Sequence, residues 1–123
     1  VLVKTLSPVT VYSTFYSKEG KKKTYYYTPF EKEFEELLIE NLRKKLRTWA
    51  GIDIHGGSIK PVGITTKNER IIIYKGTVIK AWDGVFELSL PEDLFKMAFA
   101  AGLGSKNSQG FGCINIYEKS TRE

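Results

Sequence analysis

Few side chains in this chain are equipped to make or break bonds. His55 is the single histidine and the only group that titrates near neutrality without help. It lies in residues 52–58 (IDIHGGS), a glycine-bearing connector. A loop imidazole there could act in RNA cleavage, which needs proton transfer to and from oxygen. No partner for that transfer is identifiable, so an exposed loop histidine is the simpler reading, and His55 stays a weak catalytic candidate. Asp53 and Asp83 are isolated carboxylates, and a turn with Gly84 accounts for Asp83. Cys113 is the only cysteine, which excludes an internal disulfide, and its place in an expected strand reads as a small core residue. One His and one Cys cannot build a structural zinc site, and no nucleophile-elbow sequence supports a Ser-His-Asp grouping. Neither metal nor cofactor is expected.

Groups that could hold an anion are better represented. Residues 102–112 (GLGSKNSQGFG) place four glycines in eleven positions around Lys106, Asn107 and Gln109. A loop with so little side-chain cover can bring its backbone N–H groups close to a phosphate or to another stretch of backbone. The run lacks the Gly-Lys-Ser/Thr ending of a P-loop, and an expected strand follows it where a nucleotide-binding loop would lead into a helix. Tight packing under the sheet end is the structural alternative, although Lys106, Asn107 and Gln109 offer donors that packing alone would not require. Lys21, Lys22 and Lys23 mark a hairpin tip that could grip phosphates or simply keep the tip solvated. Tyr25, Tyr26 and Tyr27 could stack on bases, but alternating rings that bury one face of a strand are the plainer account. The excess of 19 Lys and Arg over 14 Asp and Glu gives a formal charge of +5, a modest footprint for an anionic partner.

The elements that must position these groups follow from periodicity. Residues 1–16 alternate and are rich in Val, Thr, Tyr and Phe, which reads as a strand interrupted at Pro8. A polar tip at 17–23, with Gly20 as turn residue, leads into a return strand at 24–27. Thr28, Pro29 and Glu31 have the form of a capped helix start. Phe34, Leu38, Leu42, Leu46 and Trp49 then form an apolar stripe, and Gly51 stops the helix. Acidic residues early in this helix and Arg43, Lys44, Lys45 and Arg47 late in it complement the helix dipole on a solvated face, the simpler reading beside a phosphate contact. Residues 59–66 and 70–74 read as strands, and 77–82 and 85–90 as a hairpin about Asp83-Gly84. Ser89 and Glu92 suggest a second capping box, before a short helix buried through Leu94, Phe95, Ala98 and Ala101 and ended by Gly102. Residues 111–117 read as the last strand and 118–123 as a polar tail. The order predicts an α+β, ferredoxin-like βαββαβ fold with an antiparallel sheet, both helices on one face, and hairpin extensions.

A chain of 123 residues is enough for one domain and one core, and 41% hydrophobic with 27% charged residues is ordinary globular composition. No apolar run reaches the length of a membrane span, and no signal-peptide layout is present, so a cytoplasmic protein is expected. The chain opens on Val1, directly in strand-like sequence, which suggests a segment of a longer polypeptide.

Residues 100–112 resemble the glycine-rich signature of the repeat-associated (RAMP) superfamily of CRISPR-associated proteins, most closely the endoribonuclease family called CRISPR-associated protein six. Leu6-Ser7-Pro8-Val9-Thr10-Val11 is similar to that family's opening strand of the second domain. Tyr26-Tyr27-Thr28-Pro29 with Glu33-Phe34 resembles its helix entry, and Glu40-Asn41-Leu42 with Lys44-Lys45 its helix end. The resemblance covers nearly the whole chain. It implies that residues 1–123 are one ferredoxin-like domain, the second of two in tandem. It also implies binding and metal-independent cutting of CRISPR repeat RNA, with the ribose 2′-hydroxyl attacking the adjacent phosphate. The acid and base would come from the first domain, and no catalytic residue is carried onto this segment. Holding RNA is implied for Gly102, Gly104, Lys106, Gly110 and Gly112, beside Asn107 and Gln109 and, less directly, Lys21, Lys22 and Lys23. The expected partners are CRISPR repeat RNA and the first domain, with a homodimer or an effector complex as further options. The alternative function is a non-catalytic RAMP-type RNA-binding or scaffold subunit.

Overall fold

The structure, a computed structural model, describes residues 1–118. In chain order its elements are β1 (Leu2–Thr5), β2 (Tyr12–Tyr16), β3 (Lys22–Tyr26), α1 (Lys32–Ala50), β4 (Ser58–Val62), β5 (Glu69–Tyr74), β6 (Thr77–Trp82), β7 (Val85–Ser89), α2 (Glu92–Ala101) and β8 (Ile114–Ile116). Four strands form one antiparallel sheet in the order β4-β7-β1-β8. Two ribbons are inserted into this frame, β2–β3 between β1 and α1 and β5–β6 between β4 and β7. What remains, β1-α1-β4-β7-α2-β8, is the expected βαββαβ arrangement. No helix among the described residues is long and apolar enough to cross a membrane.

Register decides which sheet face is buried. Val3 lies opposite Phe86 and Ile116, Ile59 opposite Leu88, and Ile114 opposite Thr5. Val3, Phe86, Leu88, Ile59 and Ile114 join Phe34, Leu38, Leu42 and Leu46 of α1 and Leu94, Met97 and Ala98 of α2 in one core. Both helices therefore cover the same face. The opposite face carries Leu2, Lys4, Lys60, Val62, Val85, Glu87 and Asn115, and Tyr117, whose N–H donates to the Leu2 carbonyl at 2.9 Å, continues it past β8. A smaller core of Ile79, Ala81 and Phe111, with Tyr26 and Ile72 against it, anchors the two ribbons beside the sheet.

Several local expectations give way to long-range pairing. Residues 1–16 are two strands in different sheets, separated at the Pro8 interruption. Asp83-Gly84 is not a hairpin turn: β6 pairs with β5, and β7 pairs with β1 and β4, so the chain changes sheets there. The tight hairpin turn is Lys75-Gly76, where both residues have positive φ (50° and 79°), the geometry that suits strand twist. Asp83 instead pairs with Arg70, its Oδ2 2.8 Å from Nε. The strand at 59–66 stops at Val62 and the one at 111–117 shortens to Ile114–Ile116. Cys113 precedes that strand and is exposed, not core.

Both helix starts also differ from the capping expectations. Helix α1 begins at Lys32 with Glu31 as N-cap, because Thr28 through Glu31 form a turn closed by Glu31 N–H to the Thr28 carbonyl at 3.0 Å. One expected bond survives, the Glu31 carboxylate accepting from Thr28 N–H at 2.7 Å. Helix α2 starts behind Pro91, and Ser89 remains in β7. At the far end of α1, Gly51 is the left-handed cap at φ 68°. Trp49 is 79% exposed despite its place in the apolar stripe. It lines an open groove between α1 and α2, whose α2 wall is Met97, Ala100 and Ala101. The expected tail at 118–123 lies outside the described residues from Lys119 on.

Candidate nucleic-acid interface

The glycine-rich loop is a folded plug, not an open cradle. Leu103 is fully buried, and its N–H donates to the Gly112 carbonyl at 2.9 Å. Ser105 N–H donates to the Thr10 carbonyl at 2.9 Å and Gly112 N–H to the Pro8 carbonyl at 2.8 Å, tying the loop to the crossing between β1 and β2. The N–H groups of Gly102, Gln109, Gly110 and Phe111 are likewise taken by protein carbonyls. A β-carbon at Gly104 would collide with the Thr10 carbonyl oxygen, and one at Gly112 with that of Leu103. The glycines thus permit backbone-to-backbone contact at a positive φ, 72° at Gly104 and 80° at Gly112. These contacts match the tight-packing alternative: the N–H groups of Gly102, Leu103, Ser105, Gln109, Gly110, Phe111 and Gly112 meet protein backbone.

Asn107, a candidate donor from the sequence, is turned inward. Its amide donates to the carbonyls of Leu103 at 3.0 Å and Phe111 at 2.9 Å. Ser108, Gln109 and Gly110 form the exposed crest. Lys106 adopts a left-handed conformation (φ 59°), and its ammonium lies 5.2 Å from the centre of the Tyr12 ring, a cation–π contact.

A second lysine supports the loop from beneath. Lys45 Nζ donates to the carbonyls of Gly102 and Gly104, both at 3.0 Å. These carbonyls lie at the C-terminal end of α2, where a cation is favoured. Burial lowers the Lys45 pKa from 10.5 to about 8. Dipole matching alone would leave this residue on a solvated face. At 100° per residue, however, Lys45 points within about 20° of Phe34, inside the apolar stripe near its Phe34 edge. That angular position was the available signal.

The β2–β3 ribbon rises from the same corner. Cross-strand partners share a face, so Tyr12, Tyr26, Thr14, Thr24, Tyr16 and Lys22 form one side, with Ser13, Tyr25, Phe15 and Lys23 on the other. Lys21, Lys22 and Lys23 are all exposed. The tyrosine run does three separate jobs. Tyr25 donates to Glu31 Oε2 at 2.6 Å, Tyr26 packs on the smaller core, and Tyr27 packs on the main core and meets the Ser13 hydroxyl at 3.1 Å. The bond from Tyr25, with Thr28 N–H, holds the Glu31 carboxyl below its usual range. Phe15 and Tyr16, unremarked in the sequence pattern, are 50% and 71% exposed.

His55 belongs to a different surface. Its Nε2 lies 3.0 Å from Arg43 and 3.4 Å from Asp53 Oδ2, and its side chain is 70% exposed. Desolvation alone would raise the Asp53 pKa, but the Arg43 bond and charge, with His55 and Arg47, outweigh it and lower the value. Arg43 leaves α1 about 200° around from Lys45, so the helix separates this charged cluster from the glycine-rich loop. The cluster ties the connector to α1. Among the described residues, no group of three or more His, Cys, Asp or Glu side chains is placed to hold a metal ion.

Comparison with known proteins agrees with this frame. Residues 1–116 match the family described as CRISPR-associated protein Cas6, C-terminal. The chain is 32% identical over 120 residues to the CRISPR-associated endoribonuclease Cas6 of Pyrococcus furiosus, covering 97% of the chain and 43% of that protein. It is 27% identical over 128 residues to CRISPR-associated endoribonuclease Cas6 1 of Methanocaldococcus jannaschii, covering 98% of the chain and 47% of the relative. A solved CRISPR-associated protein Cas6 superposes with a TM-score of 0.77 at 27% identity, over 95% of this chain and 48% of its own. The chain therefore spans less than half the length of these relatives. With the family match running from Val1 through the last strand, the chain belongs to the Cas6 C-terminal family.

Proposed function

We propose that this chain is the RNA-positioning C-terminal domain of a metal-independent CRISPR repeat endoribonuclease. The observation that carries the reading is the match to named endoribonucleases over nearly the whole chain but less than half of theirs. The rest of such a protein would be a first domain that supplies the proton-transfer groups. In the cleavage, the ribose 2′-oxygen forms a bond to the adjacent phosphorus as the bond from phosphorus to the 5′-oxygen breaks. A base takes the 2′-hydroxyl proton and an acid delivers one to the leaving 5′-oxygen, giving a cyclic phosphate and a 5′-hydroxyl. This chain's part is to hold the strand. Lys106 beside the loop crest and Lys21, Lys22 and Lys23 on the ribbon offer phosphate contacts. His55, held by Arg43 and Asp53 on another surface, takes no part.

The test is cleavage of repeat RNA by the full-length protein and by this chain, each with magnesium and with a chelator. Cutting by the full-length protein in both conditions, and none by this chain, is expected. Cutting that requires magnesium overturns metal independence. Binding without cutting by the full-length protein replaces the enzyme with a scaffold subunit.

A further inference from the structure

From the ribbon's geometry we infer that one face of β2–β3 is a track for an unpaired RNA strand, on which Tyr16 stacks a base. The inference rests on the RNA-binding reading above and names the form of RNA it takes. The track begins at the glycine-rich loop, where Lys106 covers the Tyr12 ring. Tyr12 meets Tyr26 across the strands with ring centres 5.6 Å apart, and Tyr26 packs on the smaller core, so the open part of the face runs from Thr14 and Thr24 outward. The Thr14–Thr24 pair follows, then Tyr16 beside Lys22 at the outer end. Tyr12 to Tyr16 is about 13 Å of strand. Cations stand at both ends, with hydroxyls and rings between them. From residue 12 to 26 the segment holds four lysines against the single Glu19.

Nothing in the fold accounts for Tyr16. It is 71% exposed, and its nearest cross-strand partner is an exposed lysine. Lysines alone would serve a duplex as well as a single strand, since both present phosphates. An exposed ring flanked by a lysine adds something only a strand with free base faces can use. In a paired A-form helix the bases stack on each other, and the deep major groove bars side chains. Stacking on an aromatic side chain tolerates any base, so the track grips without reading sequence.

The experiment measures affinity of the full-length protein for a repeat-length RNA, unpaired and annealed to its complement. Wild type is compared with Tyr16→Ala, Tyr16→Phe and Lys22→Ala. Tyr16→Ala is expected to weaken the unpaired RNA roughly five- to thirty-fold, with the salt slope unchanged. The duplex should shift less than about twofold, and Tyr16→Phe should restore wild-type binding. Lys22→Ala should weaken both RNAs and flatten the salt slope. An unchanged affinity for the unpaired RNA in Tyr16→Ala, or equal loss for both RNAs, overturns the inference while leaving RNA binding intact. A fall in melting temperature or a change of oligomeric state in Tyr16→Ala would show that the ring packs against protein, which also overturns it. Failure of the wild type to bind either RNA would refute the functional reading and this inference with it.

Discussion

Replacing Gly104 by alanine isolates what the glycine-rich loop is built to do. Gly104 has φ 72°, a left-handed conformation that costs an L-residue about 1–2 kcal/mol. The added methyl would also strike the carbonyl oxygen of Thr10, a fully buried residue that cannot retreat easily. The Thr10 hydroxyl donates to the Lys80 carbonyl at 2.9 Å, and its own carbonyl accepts from Ser105 N–H at 2.9 Å. Relieving the clash breaks that last bond, worth about 1 kcal/mol. Gly104→Ala should therefore cost roughly 2–3 kcal/mol in total. Gly110 supplies the control: its φ is 97°, but a β-carbon there meets nothing within 4 Å. Gly110→Ala should cost only the backbone term, about 1–2 kcal/mol. Urea unfolding of both variants, with slopes checked for equality, gives the difference directly. Equal losses in the two variants would show that Gly104 does not serve the approach to Thr10.

Four further outcomes test other parts of the account. Lys45→Met should destabilise the domain, and the wild type should gain on this variant as pH rises from about 8 to 10.5, because the folded chain has then shed a proton that the unfolded chain keeps; a gap that stays constant across that window in thermal melts would contradict the buried-lysine picture. Lys106→Ala should weaken repeat RNA binding and lower the salt slope by about one phosphate contact, read from affinities at several salt concentrations, with an unchanged slope counting against it. Leu42→Ala should cost about 2–5 kcal/mol and Trp49→Ala less than about 0.5 kcal/mol, since one is fully buried and the other mostly exposed; similar melting temperatures for the two would refute the packing described. His55→Ala should leave RNA cleavage by the full-length protein unchanged, and a large loss in single-turnover rate would return the histidine to the mechanism.

Local pattern carried much of the fold. Phe34, Leu38, Leu42 and Leu46 announced the core face of α1, and Gly51 its end, because helical periodicity and a left-handed cap are written in neighbouring residues. The alternating strands and two helical stretches likewise gave the βαββαβ order. Strand partnership was not legible in the same way. Asp83-Gly84 has the composition of a hairpin turn, yet β6 and β7 belong to different sheets, since pairing depends on residues far away in the chain. Cys113 departs from its expected burial for a related reason, since exposure is set by what packs opposite and not by residue type, whereas the inward place of Lys45 is written in its angle within the apolar stripe.

The sequence by itself determined the elements, the excess of positive charge and the glycine-rich run with its resemblance to a family. Tertiary structure alone decided what that run does. Its glycines press backbone against Thr10 and Leu103, Lys45 secures its carbonyls, and Lys106 is turned onto Tyr12 at the foot of the ribbon. Contacts between residues 10, 45 and 104 depend on three distant segments meeting at one corner, and no spacing along the chain encodes that meeting.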